Sequence, residues 1–104
     1  MKSVRLACLL AFALAPLSAE AQSFNCRRAS TPDEVEICRN SGLSALDERM
    51  AGMYTRLRGR LFAHGREALM DDQAAWLQSR HACGSDAGCI EDSYRRRIRE
   101  LAAY

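Results

Sequence analysis

The sequence predicts an all-α fold, a small disulfide-stabilised bundle of about four helices, of which one is short and three are longer. Three observations predict it. Apolar residues recur at steps of three and four along most of the chain, which is the spacing of an amphipathic helix. β-Branched residues, which favour strands, are few after residue 37. The chain has only 104 residues and five cysteines, so a thin core held by disulfides is expected.

The first 21 residues predict a secretory signal peptide, and residues 22–104 a single helical domain. An apolar stretch of 12 residues follows the basic residues Lys2 and Arg5, and a small-x-small cleavage site ends at Ala21. That stretch is well short of the roughly 20 residues that span a bilayer as a helix. We therefore expect cleavage after Ala21, a periplasmic or secreted protein, and no stable membrane insertion of the mature chain.

The cysteines predict two disulfides. Cys8 would leave with the signal peptide, and an even number remains in a short exported chain. Four cysteines allow three pairings; we prefer the local one, Cys26–Cys38 with Cys83–Cys89, whose loops of 13 and 7 residues are worth roughly 2–3 kcal/mol each. A metal site is the alternative, but these spacings do not resemble the C-x2-C pairs of zinc sites. We expect no metal and no cofactor.

Capping signals delimit the first two predicted helices. Thr31 and Glu34 form the capping box of the short helix, which ends near Arg39 before a cluster of helix breakers. A longer helix follows from about Leu43 to Leu61, with apolar residues at helical spacing.

Turn-forming residues delimit the last two predicted helices. The third extends from about Arg66 to Ala82, after a His-Gly turn. The fourth extends from about Ala87 to Ala102, after a Gly-Ser-Asp turn that the second disulfide would pin.

One seam of the third predicted helix carries polar residues where a bundle prefers aliphatic ones. The seam consists of Leu69, Gln73, Trp76, Arg80 and Cys83. An inward Arg80 needs a carboxylate, for which Asp47 on the second helix is the candidate, and Tyr54 can add a hydroxyl. Two interpretations stay open. The candidate residues Asp47, Tyr54, Gln73, Trp76 and Arg80 form a structural network, or they form a patch that recognises a partner through Trp76 and Arg80.

Charge gives no argument for nucleic-acid binding. Without the leader the chain has 13 arginines, no lysine and 12 carboxylates, a net charge near +1. Two Arg-rich runs, at residues 56–66 and 95–99, are candidates for contact with anionic envelope glycans. A solvated surface is the simpler interpretation, because the second run winds around its helix and two of its arginines have acidic neighbours four residues away.

No residue pattern favours catalysis. His64 and His81 lie in a predicted turn and near a helix end, with no nucleophile at suggestive spacing. Asp71 and Asp72 are adjacent on a helix, so their side chains point about 100° apart and cannot readily share a substrate. There is no glycine-rich phosphate loop. We therefore expect a non-enzymatic protein without catalytic residues.

Over residues 24–101 the chain resembles the LprI-type lysozyme-inhibitor domain family of small exported bacterial domains. The matching residues are Cys26, Thr31, Pro32, Glu34, Ile37, Cys38, Leu46, Asp47, Tyr54, Gln73, Trp76, Leu77, Arg80, Cys83, Cys89, Tyr94, Arg97, Ile98 and Leu101. The resemblance implies a helical fold, two disulfides, residence in the envelope and lysozyme inhibition. The chain departs from the family pattern in two respects: His81 follows Arg80 where similar sequences tend to carry an acid, and no cysteine is placed to carry a lipid anchor.

The functional prediction is an exported binding protein that inhibits a lysozyme-type muramidase by occluding its active-site cleft. Such a cleft contains two carboxylates, and arginine-bearing turns near residues 58–60 and 65–66 are available to meet them. The alternative is an envelope protein that contacts anionic glycans or another periplasmic protein through its Arg-rich surface. Glycan binding of that kind should weaken steeply with added salt.

Overall fold

The computed structural model describes residues 23–104, which form four α-helices and one 3₁₀ turn. The helices are α1 (Pro32–Arg39), α2 (Ser41–Arg60), α3 (Ala63–His81) and α4 (Ala87–Ala102), and the 3₁₀ turn is Cys26–Arg28. These described residues contain no strand. The all-α prediction of one short and three longer helices is therefore confirmed. The predicted leader and its cleavage site lie outside the described residues.

Asn40 explains why α2 begins two residues earlier than predicted. Its side-chain Oδ1 accepts the backbone N–H groups of Gly42 at 3.1 Å and Leu43 at 3.2 Å, which are unpaired donors at a helix start. Its own backbone N–H donates to the Glu36 carbonyl at 3.1 Å and so ends α1. The predicted cluster of helix breakers at residues 40–42 therefore ends α1 and begins α2 without a loop between them.

α3 also begins earlier than predicted, at Ala63 instead of Arg66. The Phe62 carbonyl accepts the N–H groups of Gly65 at 3.0 Å and Arg66 at 3.4 Å, which places the predicted His-Gly turn inside the first turn of α3. Ala63 has φ 43°, a left-handed conformation that residues other than glycine rarely adopt. The reversal between α2 and α3 is thus sharper than the sequence indicates.

One face of each helix contributes to a single core. Its buried apolar residues are Ile37, Leu43, Met50, Leu57, Leu69, Trp76, Ile90, Tyr94, Ile98 and Leu101. α2 and α4 run side by side in the same direction, since Leu43 lies near Ala87 at one end and Leu57 lies near Leu101 at the other. α3 returns antiparallel to them. This path brings the end of α3 to the start of α1.

Two disulfides confirm the predicted local pairing. Cys26–Cys38 ties the 3₁₀ turn to the end of α1, and Cys83–Cys89 ties the end of α3 to the first turn of α4. Gly84, in the loop that the second disulfide closes, has φ 57°, a conformation that glycine adopts without strain. The disulfides therefore fix the beginning of the described chain and the α3–α4 turn.

Candidate functional site

The predicted seam of α3 points into the bundle. Leu69, Gln73, Trp76 and Arg80 are buried, and Cys83 is half-buried. Arg80 is only 1% exposed, and burying a guanidinium is unfavourable unless an opposite charge and hydrogen bonds compensate it. The surroundings of Arg80 therefore define the candidate site.

The carboxylate partner of Arg80 is Asp33, so the predicted pairing with Asp47 is wrong. Arg80 Nε donates to Asp33 Oδ2 at 2.8 Å, and the Asp33 side chain is fully buried. The Nδ1 atom of His81 lies 2.8 Å from the same oxygen. The geometry follows from the fold, because the first turn of α1 covers the end of α3. Two neighbouring cationic or polar side chains of α3 thus hold one carboxylate of α1.

Tyr94 links Arg80 to Asp47. Its hydroxyl accepts from Arg80 Nη1 at 3.2 Å and donates to Asp47 Oδ1 at 2.7 Å. Asp47 is fully buried and also accepts from the backbone N–H and the hydroxyl of Ser23, at 2.8 Å and 2.7 Å. Asp47 therefore belongs to the Arg80 network, but one side chain further away than predicted.

Burial and charge set the protonation states in this network. Burial raises the pKa of Asp33, but the polar side chains of Thr31, His81 and Arg80 lower it by more, to about 2. Burial also raises the pKa of Tyr94, and the neighbouring charge of Asp47 raises it further. Asp33 is consequently ionised and Tyr94 protonated at neutral pH, as the observed hydrogen bonds require.

Three aromatic rings surround the Arg80 guanidinium. Its Cζ atom lies 5.4 Å from the centroid of Phe24, 5.7 Å from that of Trp76 and 6.0 Å from that of Tyr94, all within the range of a cation–π contact. Trp76 and Tyr94 meet edge to face at 5.1 Å, and Trp76 Nε1 donates to the Ser93 carbonyl at 3.0 Å. The tryptophan is thus buried and hydrogen-bonded, which favours the structural interpretation of this residue.

Gln73 joins a second buried arginine instead of the Arg80 network. Its Oε1 accepts from Arg97 Nε at 2.8 Å, and its Nε2 lies 3.2 Å from the sulfur of Met50. Arg97 is 2% exposed and its Nη1 donates to Glu100 at 3.1 Å. The seam therefore uses each of its polar residues to bind a neighbouring helix.

Tyr54 lies apart from both networks, in the wall of a cavity of about 360 Å³ between the N-terminal segment, α1, α2 and α3. Gln73 and Arg80 also line this cavity. The Tyr54 hydroxyl makes no hydrogen bond within the part of the chain that the structure describes. Of the five candidate residues, the structure brings Asp47, Trp76 and Arg80 together around Tyr94, and places Gln73 and Tyr54 beside them.

Sequence reasoning missed Asp33 as the central carboxylate. It follows Pro32 in the first turn of α1, where a carboxylate already has a local explanation in the helix dipole, so nothing in the sequence pointed to a distant partner. Before the structure, Tyr94 was identified only as one of the residues that carry the family resemblance. Nothing in the sequence indicated that its hydroxyl lies between Arg80 and Asp47, except that buried charged side chains need hydrogen-bond partners.

The run of arginines in α4 does not form one basic surface. Arg97 is buried, whereas Arg95 is exposed and bridges to Glu91 at 2.9 Å, and Arg96 lies 3.7 Å from Glu100. The arginines of the run at residues 56–66, by contrast, are all exposed; they are Arg56, Arg58, Arg60 and Arg66. Of the two Arg-rich runs, the first is therefore the better candidate for a basic surface.

The remaining candidates for chemistry are at the surface. His64 is exposed, with Nδ1 3.6 Å from a carboxylate oxygen of Glu67. Residues 23–104 contain no group of three or more His, Cys, Asp and Glu side chains that could hold a metal ion. Each helix within the same residues is too short or too polar to span a lipid bilayer.

The sequence of the disulfide-pinned bundle matches a known family. The family model described as lysozyme inhibitor LprI matches residues 26–101, from the first disulfide cysteine to the last buried residue of α4. The chain belongs to the LprI family. This confirms the resemblance predicted from the sequence, and it covers the whole disulfide-pinned bundle.

Similar proteins include the lipoproteins LprI of Mycobacterium bovis and Mycobacterium tuberculosis. Each is 29% identical to this chain over 85 residues, which cover 78% of this chain and 41% of the relative. The chain thus spans about two fifths of the length of these LprI relatives. No solved structure matches it significantly.

Proposed function

We propose that this protein is an exported, non-enzymatic inhibitor of lysozyme-type peptidoglycan-cleaving enzymes that acts by occluding the active-site cleft. The observation that carries the proposal is the match to the lysozyme inhibitor LprI family over residues 26–101. That match includes every helix and both disulfides, so the proposal applies to the whole bundle. The proposal makes no use of the part of the mycobacterial relatives that lies outside the matched residues.

The internal use of its polar groups supports a binding role without catalysis. Asp33, Asp47, Arg80 and Arg97 are buried and bonded to partners within the bundle. Their contacts within the bundle hold the helices in fixed relative positions. A surface that is fixed before binding loses less conformational entropy in a complex, which favours tight inhibition.

The proposal includes export through a signal peptide cleaved after Ala21. The leader pattern predicts this, the relatives in Mycobacterium are named lipoproteins, and disulfides persist in oxidising compartments outside the cytosol. Mass spectrometry of the protein recovered from the periplasm of an expressing bacterium tests the cleavage directly. A mature chain that begins at Gln22 agrees with the proposal, and an uncleaved chain contradicts this part of it.

The inhibition test is lysis of a peptidoglycan suspension by several classes of lysozyme, with the oxidised exported protein titrated in. We expect one class to lose activity near a stoichiometric ratio. The protein reduced with dithiothreitol serves as the control and should inhibit less, because loss of both disulfides loosens the bundle. Full activity of every class at excess inhibitor would contradict the proposal.

The alternative is binding of anionic envelope glycans, which the exposed arginines at the end of α2 favour. If binding to a soluble anionic glycan depends on these arginines, the affinity should fall steeply as the salt concentration rises from about 50 to about 200 mM. Within this range, at about 0.1 M, the Debye length is roughly 10 Å, and added salt screens the charges of exposed arginines. A protein that inhibits no lysozyme but binds such a glycan in this salt-dependent manner has the alternative function.

A further inference from the structure

The α2–α3 hairpin projects beyond the core. The last buried residue of α2 is Leu57 and the first buried residue of α3 is Leu69. We call the segment between them, residues 58–68, the hairpin tip; none of its residues is buried. With a rise of about 1.5 Å per helical residue, the tip extends roughly 5 Å beyond Leu57 along α2 and roughly 9 Å beyond Leu69 along α3.

The hairpin tip exposes the ring of Phe62 to solvent. Phe62 is 81% exposed, more than the other exposed large apolar side chains, Tyr104 at 53%, Val35 at 47% and Met70 at 40%. Its neighbour Leu61 is partly buried and packs against the core, so the chain turns one apolar side chain inward and the next outward at the point of the hairpin. Aromatic side chains are enriched among the residues that anchor protein–protein interfaces.

The backbone of the hairpin tip is held in place although its side chains are exposed. Arg66 Nε donates to the Arg58 carbonyl at 3.1 Å and so joins the first turn of α3 to the last turn of α2. The Phe62 carbonyl accepts two further backbone N–H groups. Ala63 has φ 43°, and strain of this kind at a residue other than glycine is concentrated at functional sites. Phe62 is therefore presented in a defined position.

The positive charge of the bundle is concentrated in the hairpin tip. It contains Arg58, Arg60 and Arg66, together with His64, and a single carboxylate, Glu67. The rest of residues 23–104 has ten arginines and eleven carboxylates. The tip is thus cationic on a bundle that is otherwise close to neutral, and it offers a complementary surface to an acidic cavity.

We propose that the hairpin tip is the element that enters the cleft of the inhibited muramidase, an inference that rests on the proposed function. The cleft of such an enzyme is concave and contains two carboxylates that flank the scissile bond. Phe62 would occupy a position that a sugar ring of the substrate takes, and a guanidinium group of the hairpin tip would face the carboxylates. The protruding shape of the tip suits a concave cleft, its positive charge suits the two carboxylates, and the exposed ring of Phe62 suits a sugar-binding position.

Two tip variants and two matched controls test the proposal in the lysis assay, with the exported, oxidised full chain. The tip variants are Phe62→Ala and the double variant Arg58→Ser/Arg60→Ser. The controls are Val35→Ala, an exposed apolar residue of α1, and Arg27→Ser/Arg28→Ser, two exposed arginines of the 3₁₀ turn. None of these side chains is buried, so thermal unfolding should be unchanged, and each variant is checked for this.

We expect the inhibition constant to rise at least about tenfold for each tip variant and by less than about twofold for each control. Tip variants that inhibit as strongly as the unmodified protein overturn the insertion proposal and leave the inhibitor function standing. Controls that weaken inhibition as much as the tip variants also overturn it. An unmodified protein that inhibits no lysozyme class instead overturns the proposed function, and the insertion proposal with it.

Discussion

Arg80 and Asp33 lie 47 residues apart in the chain, yet Arg80 Nε donates to Asp33 Oδ2 at 2.8 Å with both side chains almost fully buried. This contact joins the end of α3 to the start of α1. Tyr94 extends it to Asp47, and Asp47 in turn binds Ser23 at the beginning of the described chain. One buried network therefore connects all four helices of the described residues and the N-terminal segment.

The free energy of unfolding should fall by about 3–5 kcal/mol in Arg80→Met, because the substitution leaves Asp33 buried without its cationic partner. Denaturation of the oxidised protein by urea measures the change. Arg95→Met is the matched control: Arg95 is exposed and bridges to Glu91, and such surface pairs contribute about 1 kcal/mol or less. Equal losses for the two variants would contradict the role of the buried pair.

Stability should decrease as the pH falls from about 4 to about 2. The pKa of Asp33 is lowered from 3.8 to about 2 in the folded protein. Its contribution, about 2 kcal/mol, is therefore complete above the unfolded pKa and lost as the pH falls through the folded one. Urea denaturation across this range should show a shallower acid dependence for Asp33→Asn than for the unmodified protein.

Asp71→Asn is the control for that pH experiment. It removes an exposed carboxylate from α3, so it reports the effect of losing one negative charge at the surface. If Asp33→Asn and Asp71→Asn change the acid dependence by the same amount, the buried Asp33 network does not determine it.

Trp76→Ala should lower the free energy of unfolding by about 3–5 kcal/mol, because the ring is 5% exposed and packs on Tyr94. Trp76→Phe keeps an aromatic ring but removes the hydrogen bond to the Ser93 carbonyl, and should lower it by less. Thermal unfolding of the two variants gives the order. An unchanged transition for Trp76→Ala would mean that the ring acts at the surface and not in the core.

Each disulfide should stabilise the bundle by roughly 2–3 kcal/mol. Cys83→Ser/Cys89→Ser opens the α3–α4 turn, and Cys26→Ser/Cys38→Ser releases the 3₁₀ turn from α1. Protection of backbone amides from hydrogen exchange distinguishes the variants. The first should lose protection mainly around residues 83–89, and the second mainly at the N-terminal segment and α1. Uniform loss in both would show that the disulfides do not act locally.

The helices could be predicted from the sequence because their signals are local. The capping residues Thr31 and Asn40 lie beside the helix starts that they determine, and α4 has the predicted bounds, Ala87–Ala102. The disulfides were predictable because a short loop separates each pair. The error at the start of α2 comes from Asn40, a helix breaker in general that caps the next helix here. The error at the start of α3 comes from a His-Gly pair that lies within the first helical turn instead of before it.

The centre of the site could not be predicted because its contacts are tertiary. The sequence indicates that Arg80 needs a carboxylate, but choosing Asp33 over Asp47 requires the position of α1 on α3. Arg97 belongs to an Arg-rich run that looks solvated, and its burial becomes evident only once Gln73 is placed opposite it. Phe62 has no sequence signal, since an apolar residue next to Leu61 does not reveal that it faces outward.

The most direct test of cleft occlusion is the kinetics of a susceptible muramidase on a soluble oligosaccharide substrate, with and without the exported, oxidised protein. Occlusion predicts competition with the substrate: the apparent KM rises with inhibitor concentration while kcat stays constant. A fall in kcat at unchanged KM would contradict the account, because the protein would then act away from the cleft that the substrate occupies.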